Sequence, residues 1–339
     1  MVSVLPYIYF GGKRSIASVV WQKFGNVKTY VEPFFGGGAV FWLRPPEHFG
    51  SGEKRWELLN DIDGMVVNFL RAVYHDPHAV AHFSDWHITE VDLTARHIWL
   101  VNQKEGLVQR LEADPEYYDP KIAGWWVWGI NNWIGRGWCS GRGSWTVVDG
   151  KMQKASGICM GGVHKQRPQI GCHTKGMLGA SADLVAYLGE LSGRLRGYTC
   201  KIICGDWKRC VTPCCTVHSG VPVGVFLDPP YGEDRNSELY NHDSTQVHKE
   251  VLQWCIDNGN NPNFRIALCG YTGYYEELEK LDWQPFYWKA NGGYANAGKQ
   301  KTNDNNNREV VWFSPHCLNQ NQNNFFVKQG TLEFAFEES

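Results

Sequence analysis

The stretch that decides the fold is Lys28–Leu43, KTYVEPFFGGGAVFWL. A short apolar run from Thr29 to Val31 meets a glycine turn at Gly36 to Gly38, and a second apolar segment starts near Ala39. That order predicts a strand, a tight turn and a helix. The block from Arg55, RWELLNDIDGMVVNFLRAV, repeats it with a strand ending at Asn60 or Asp61 and a helix from about Gly64 to Val73. Strand and helix alternating at this spacing predict an α/β fold on a doubly wound, mostly parallel sheet.

The same grammar returns late in the chain. SADLVAYLGELSGRL reads as a helix, TCKIICGDW as a strand, VPVGVFLD as a central buried strand and VHKEVLQWCIDN as a helix. FRIALCGY and REVVWFSP read as two closing strands, and ANGGYANAGKQKTNDNNN between them is too polar to pack. From Asp76 to Glu116 the apolar spacing is helical. After Pro120 the character changes: GWWVWGINNWIGRGWCSGRGSW holds six of the chain's sixteen tryptophans among many glycines. Glycine weakens helix and strand alike, so this segment is expected to form loops and hairpins in a separate lobe.

Length and charge set the bounds. With 339 residues the chain can bury a large core and hold two lobes. Between Pro120 and Gly176 eight Lys and Arg face one acid, Asp149, which makes this middle +7 and leaves −9 for the rest of a chain of formal charge −2. A basic insert in an acidic body is the footprint of a surface that meets phosphate. The eleven cysteines, odd in number and without a secreted-domain rhythm, fit reduced thiols in the cytoplasm. No signal peptide or apolar run of membrane length is present, so a soluble protein is expected. Cys159, His164, Cys172 and His173 match no common zinc spacing, and no metal is expected.

Three acids carry the chemistry. Glu32 stands just before the glycine turn, where a carboxylate can pair with an ammonium or accept from a hydroxyl. Asp61 closes the next strand, where doubly wound folds place an acid on a ribose diol. An adenosine-bearing cofactor follows as the expectation, and the absence of GxGxxG and GxxxxGK[ST] counts against a dinucleotide or a triphosphate. The third acid opens Asp228-Pro229-Pro230-Tyr231, behind a buried strand. An exocyclic amino group on a nucleobase is a poor nucleophile because its lone pair is delocalised into the ring. Asp228 and the Pro229 carbonyl could accept its two N–H bonds and aim the lone pair at an electrophile, while Tyr231 stacks on a base swung out of a duplex.

At these residues the chain resembles the Dam-type (alpha-group) adenine-N6 DNA methyltransferases of bacteria and phages. The resemblance lies in YFGGKRS, VEPFFGGGAVF, LLNDID, CGDW and FLDPPYG, in the family's order, with NREVVWF like its closing strand. It implies a Rossmann-like methyltransferase fold, S-adenosyl-L-methionine as methyl donor, double-stranded DNA as partner and a role in DNA modification. By the same resemblance, Tyr9, Gly12 and Lys13 would flank the cofactor, and Glu32, Pro33, Phe34, Gly36 and Gly38 would form its methionine-side loop. Asp61 would hold the ribose, and Asp206, with Trp207, would face the adenine; Asp228 borders both pockets and Asp228, Pro229, Pro230 and Tyr231 would be catalytic. A solvated surface charge at Lys13 and a turn residue at Asp206 stay open as plain alternatives.

The family's recognition lobe falls where the basic insert lies. Asn132, Trp133, Arg136 and Arg142, read as residues of a hairpin tip, are the expected DNA contacts. The implied division is a catalytic domain of residues 1–75 and 177–316, a recognition lobe of 76–176 and a tail of 317–339. A monomer or weak dimer in a bacterial cell or phage-infected host is expected. Other functional readings remain: transfer to cytosine N4, RNA or a protein amide, a silent DNA-binding relative, or a nucleotide-binding kinase or dehydrogenase.

Overall fold

The structure is a computed structural model that describes residues 5–7, 9, 11–48, 55–133, 138–139, 145–148, 151–154, 183–197, 199–216, 222–230, 242–288 and 309–319. The helices are α1 (Ala17–Phe24), α2 (Ala39–Trp42), α3 (Gly64–His75), α4 (Pro77–Ser84), α5 (Glu90–Lys104), α6 (Leu107–Ala113), α7 (Pro120–Asn132), α8 (Leu184–Arg196), α9 (Pro213–Thr216) and α10 (His242–Asn258). The strands are β1 (Thr29–Glu32), β2 (Trp56–Asp61), β3 (Trp145–Val148), β4 (Lys151–Lys154), β5 (Thr199–Cys204), β6 (Val223–Leu227), β7 (Phe264–Tyr271), β8 (Gln284–Tyr287) and β9 (Glu309–Phe313).

Seven strands form one sheet in the order β5-β2-β1-β6-β7-β9-β8, and β3 pairs with β4 antiparallel. The first five of that order run parallel, while β9 is antiparallel to β7 and β8 to β9. This is the expected doubly wound α/β sheet. Strands β1, β6 and β9 are buried along their whole length, as helices on both faces of a parallel sheet require. The period of two splits them between two cores: Tyr30, Leu59 and Phe226 pack on one face, and Val31, Leu58, Val225 and Leu227 on the other. From β1 the chain turns to β2 on one side, and from β6 to β7 on the other. A crevice therefore opens at the carboxyl ends of β1 and β6.

Helix starts follow local chemistry. Asp63 caps α3 by accepting from Met65 N–H at 3.1 Å, and Asp119 caps α7 by accepting from Ile122 N–H at 2.9 Å. Glu57 on β2 is a fully buried carboxylate, held by Arg44 Nη1 at 2.9 Å and by both terminal nitrogens of Arg194 at 2.7 and 2.8 Å. Those contacts pin the ends of α2 and α8 to the start of β2.

The tryptophan-rich segment corrects the reading of loops and hairpins. Pro120–Asn132 is a helix, and only further on does the strand pair β3/β4 form. Its glycines serve close approach. A Cβ on Gly124 would lie 2.5 Å from Phe83 Cβ and 2.9 Å from the Val80 carbonyl oxygen, and one on Gly129 would overlap the Trp138 ring. Trp126 and Trp128 join the same apolar cluster as Phe69 and Leu59. Gly124→Ala should therefore lower stability by about 1–3 kcal/mol in urea unfolding, because overpacking against backbone outweighs a helix-propensity gain of about 1 kcal/mol. An unchanged or raised midpoint would show that α4 and α7 are not packed this closely.

Candidate functional site

Four strand ends build the crevice: Glu32 ends β1, Asp61 ends β2, Gly205 and Asp206 follow β5, and Asp228 follows β6. The glycine turn after β1 is held from below by Asp61, whose Oδ2 accepts from Gly36 N–H at 2.7 Å and whose Oδ1 accepts from Asp63 N–H at 2.8 Å. Tyr7 Oη donates to the Gly36 carbonyl at 2.7 Å. Gly36 and Gly38 adopt left-handed φ of 49° and 59°, and a Cβ on Gly38 would lie 2.1 Å from Phe35 Cζ. The Tyr9 ring lies against the turn, 3.0 Å from where a Gly36 Cβ would be. Pro33, Phe34, Gly36 and Gly38 thus form one loop roofed by Tyr9.

Lys13 is not a surface charge. Only 4 % of its side chain is exposed, and Nζ sits 3.1 Å from Asp228 Oδ1 and 3.8 Å from Glu309 Oε2. It also donates to the Gly11 carbonyl at 2.7 Å, beside Gly12, whose N–H closes a turn onto the Tyr9 carbonyl. Burial works against its charge, yet the nearby Asp228, Cys269 and Glu309 raise its pKa overall. The N-terminal arm is thereby joined to the acid behind β6. Pro229 is buried and Pro230 half-buried next to that acid, and Tyr231 lies outside the described residues.

Glu32 takes the opposite position. Burial pushes its carboxyl well above the usual range, and the charges of Asp228 and Asp61 push the same way against the Tyr30 Oη hydrogen bond at 2.8 Å. A cationic ligand group would relieve that arrangement. Asp206 is exposed, and its Oδ1 accepts from Lys208 N–H at 2.8 Å, capping the 3-10 turn Trp207–Cys210. That cap occupies one carboxylate oxygen and leaves both readings of Asp206 open. The indole of Trp207 is buried and stacks on Phe34 with centroids 5.8 Å apart.

Two residues of the site were not singled out from sequence. Asn60 Nδ2 donates to the Pro33 carbonyl at 2.8 Å and the Gly205 carbonyl at 3.0 Å, bridging the ends of β1, β2 and β5. Its Oδ1 and the Trp207 Nε1 are buried without a partner among the described residues. A polar amide at the end of an apolar strand was the available signal. Glu309, the second acid on Lys13, opens a strand whose apolar run drew the eye instead.

The expected DNA contacts fare differently. Asn132 ends α7 and donates to the Trp128 carbonyl at 2.6 Å, and Trp133 stacks on His97 with centroids 4.8 Å apart. Both belong to a helix end, which corrects their reading as hairpin-tip residues. Arg136, Arg142 and the Cys159, His164, Cys172 and His173 cluster lie outside the described residues. Among the described residues no group of His, Cys, Asp or Glu could hold a metal, and no helix is long and apolar enough to cross a membrane.

Burial also raises Asp61, from 3.8 to about 6, opposed by its backbone hydrogen bonds. An acid with a raised folded pKa binds more protons folded than unfolded, so its contribution to stability falls as pH rises from about 4 through about 6. Asp61→Asn should remove that loss, on the order of 2–3 kcal/mol, from the difference between the wild-type and variant unfolding curves. Parallel pH profiles for the two proteins would contradict a protonated Asp61 in the fold.

Comparison with known proteins covers part of this crevice. Residues 9–112 match the family model of the D12 class N6 adenine-specific DNA methyltransferases. The match holds Tyr9, Lys13, Glu32, the glycine turn and Asp61, and it stops before Asp206 and Asp228. Over 92 residues the chain is 32% identical to the DNA N-6-adenine-methyltransferase of Escherichia phage P1, a stretch that takes in 26% of this chain and 11% of that protein. The chain thus spans about a tenth of that relative's length and is similar, across its N-terminal third, to adenine-specific DNA methyltransferases.

Proposed function

We propose that the protein transfers a methyl group from S-adenosyl-L-methionine to the N6 amino group of adenine in double-stranded DNA, in the manner of the Dam-type enzymes. The observation that carries this reading is the pairing of two features at adjacent strand ends: a glycine turn after β1 held by Asp61, and Asp228 after β6 held on Lys13 at 3.1 Å.

The residues present fit the cofactor. Gly36 and Gly38 hold the left-handed turn that brings backbone to the carboxyl edge of the sheet, packed under Tyr9 and over Phe35. Asn60 Oδ1 and Trp207 Nε1, without a partner among the described residues, would offer an acceptor and a donor beside it. Asp61 would hold the ribose hydroxyls, since each carboxylate oxygen keeps a lone pair beyond its backbone bond. Glu32, whose carboxyl burial holds well above the usual range, would be drawn towards its ionised form by an ammonium. Tyr9, Phe34 and Trp207 would supply apolar walls. Bound there, S-adenosyl-L-methionine supplies an electrophilic methyl group on a sulfonium.

The chain's own part is positioning. Lys13 on Oδ1 would fix the Asp228 carboxylate, and that carboxylate and the Pro229 carbonyl would be the acceptors for the two N–H bonds of the target amine. Accepting both pulls the nitrogen lone pair out of conjugation and points it along one line, and the excess proton leaves only after the methyl has moved. No covalent enzyme intermediate is required. Tyr231 would stack on the flipped adenine. Residues 1–75 and 177–316 would carry the chemistry and 76–176 would meet DNA, with Arg136 and Arg142 neutralising phosphate and Asn132 and Trp133 bracing that surface from the end of α7.

The test is product analysis. Random-sequence duplex incubated with the protein and the methyl donor, then digested to nucleosides, should contain N6-methyladenine. Asp228→Ala should lower the yield at least about 100-fold with cofactor affinity nearly unchanged, the size of effect expected for losing a transition-state acceptor. N4-methylcytosine as the product, or an active Asp228→Ala protein, would overturn the assignment.

A further inference from the structure

A second cavity, of about 530 Å³, lies away from the crevice between α4, α5 and α7. That volume is in the range of small-ligand sites. Its walls include the rings of Trp86, Trp99 and Trp125, and its polar lining includes Arg96, Asp92 and Asp85. Arg96 is the unusual member. It is 6% exposed, and its guanidinium lies 5.1, 4.9 and 4.3 Å from the ring centroids of Trp86, Trp125 and Trp128. Among the described residues its Nη1 is shielded from solvent and has no hydrogen-bond acceptor. A buried guanidinium with unmade hydrogen bonds costs free energy that cation–π contact only partly offsets. Burial accordingly lowers its pKa, against the pull of Asp92.

The carboxylates narrow the chemistry that would satisfy Arg96. Asp92 Oδ2 is engaged by Thr89 Oγ1 at 2.5 Å and by Trp86 Nε1 at 3.3 Å, whereas Oδ1 has no partner among the described residues. Asp92 is held ionised, its pKa lowered first by the Thr89 hydrogen bond. A free phosphate would be repelled by Asp92 and Asp85. A guanine base answers both sides: O6 and N7 accept from a guanidinium, N1–H and the N2 amino group donate to a carboxylate, and tryptophan faces take its ring. Lys121, with Nζ 4.7 and 4.5 Å from the Trp99 and Trp125 centroids, brings a cation near the same rings for the nucleotide's phosphate.

We infer that the Arg96 cavity is a binding site for a guanine nucleotide, stacked on the tryptophans and read by Arg96 and Asp92. The source is either an unstacked guanine of the DNA substrate or a free nucleotide, and only the first depends on the function proposed above.

Equilibrium dialysis of the full chain against GMP, AMP, CMP and inorganic phosphate tests the site. GMP should bind saturably and at least about tenfold tighter than the other three, the discrimination expected of one good bidentate base contact. Arg96→Gln should weaken GMP at least about tenfold, and so should Trp86→Ala, a ring 48% exposed whose removal spares the core. Displacement of GMP by a duplex with a guanine opposite an abasic site, but not by an intact duplex, assigns the source to DNA; no displacement assigns it to free nucleotide. GMP binding no tighter than phosphate or AMP, or variants that bind as the wild type does, overturns the inference. Methyl transfer measured on the same preparation separates the two claims, because its loss with GMP binding intact removes the proposed function and leaves the cavity's ligand standing.

Discussion

The ion pair between Lys13 and Asp228 is the constraint on which the rest of the site depends. A lysine ammonium 4 % exposed is tolerable only against fixed negative charge, and Asp228 and Glu309 supply it from β6 and β9. The pair draws the N-terminal arm across the carboxyl edge of the sheet. Tyr7 and Tyr9 on that arm then bear on the glycine turn, through the Tyr7 hydrogen bond to Gly36 and the Tyr9 ring. One buried ion pair thus joins the N-terminal arm to the aspartate proposed to orient the target amine.

A second set of contacts fixes the other side of the crevice. Asp61 accepts from the Gly36 N–H while Asn60 joins the Pro33 and Gly205 carbonyls, so the ends of β1, β2 and β5 cannot splay independently. Preorganisation of this kind is what a reaction governed by positioning requires. Burial is the main reason why Glu32 and Asp61 both hold protons more tightly than free carboxylates, with Asp228 and Asp61 adding to it at Glu32 and Asp63 adding to it at Asp61.

Much of this was legible in the sequence because it is local. A strand, three glycines and a helix are read directly from Thr29 to Trp42, and the acids at the strand ends follow from the same register. Helix α7 was misread because Gly124 and Gly129 look like turn signals until the atoms pressed against them, Phe83 and Trp138, are known. Strand β8 went unread because four residues with a proline, Gln284–Tyr287, carry little pattern, and Pro285 is tolerated there because β8 is the sheet's edge. The burial of Lys13 depends on Asp228 and Glu309, partners more than two hundred residues away in sequence, which no local pattern encodes.

The most direct test of the account is the single-turnover rate of methyl transfer by Lys13→Met, measured beside its affinity for S-adenosyl-L-methionine. If Lys13 holds Asp228 in place to orient the target amine, the rate should fall about 100-fold or more while the cofactor dissociation constant moves only a few-fold. A rate close to that of the wild type, or a loss confined to cofactor affinity, would contradict it.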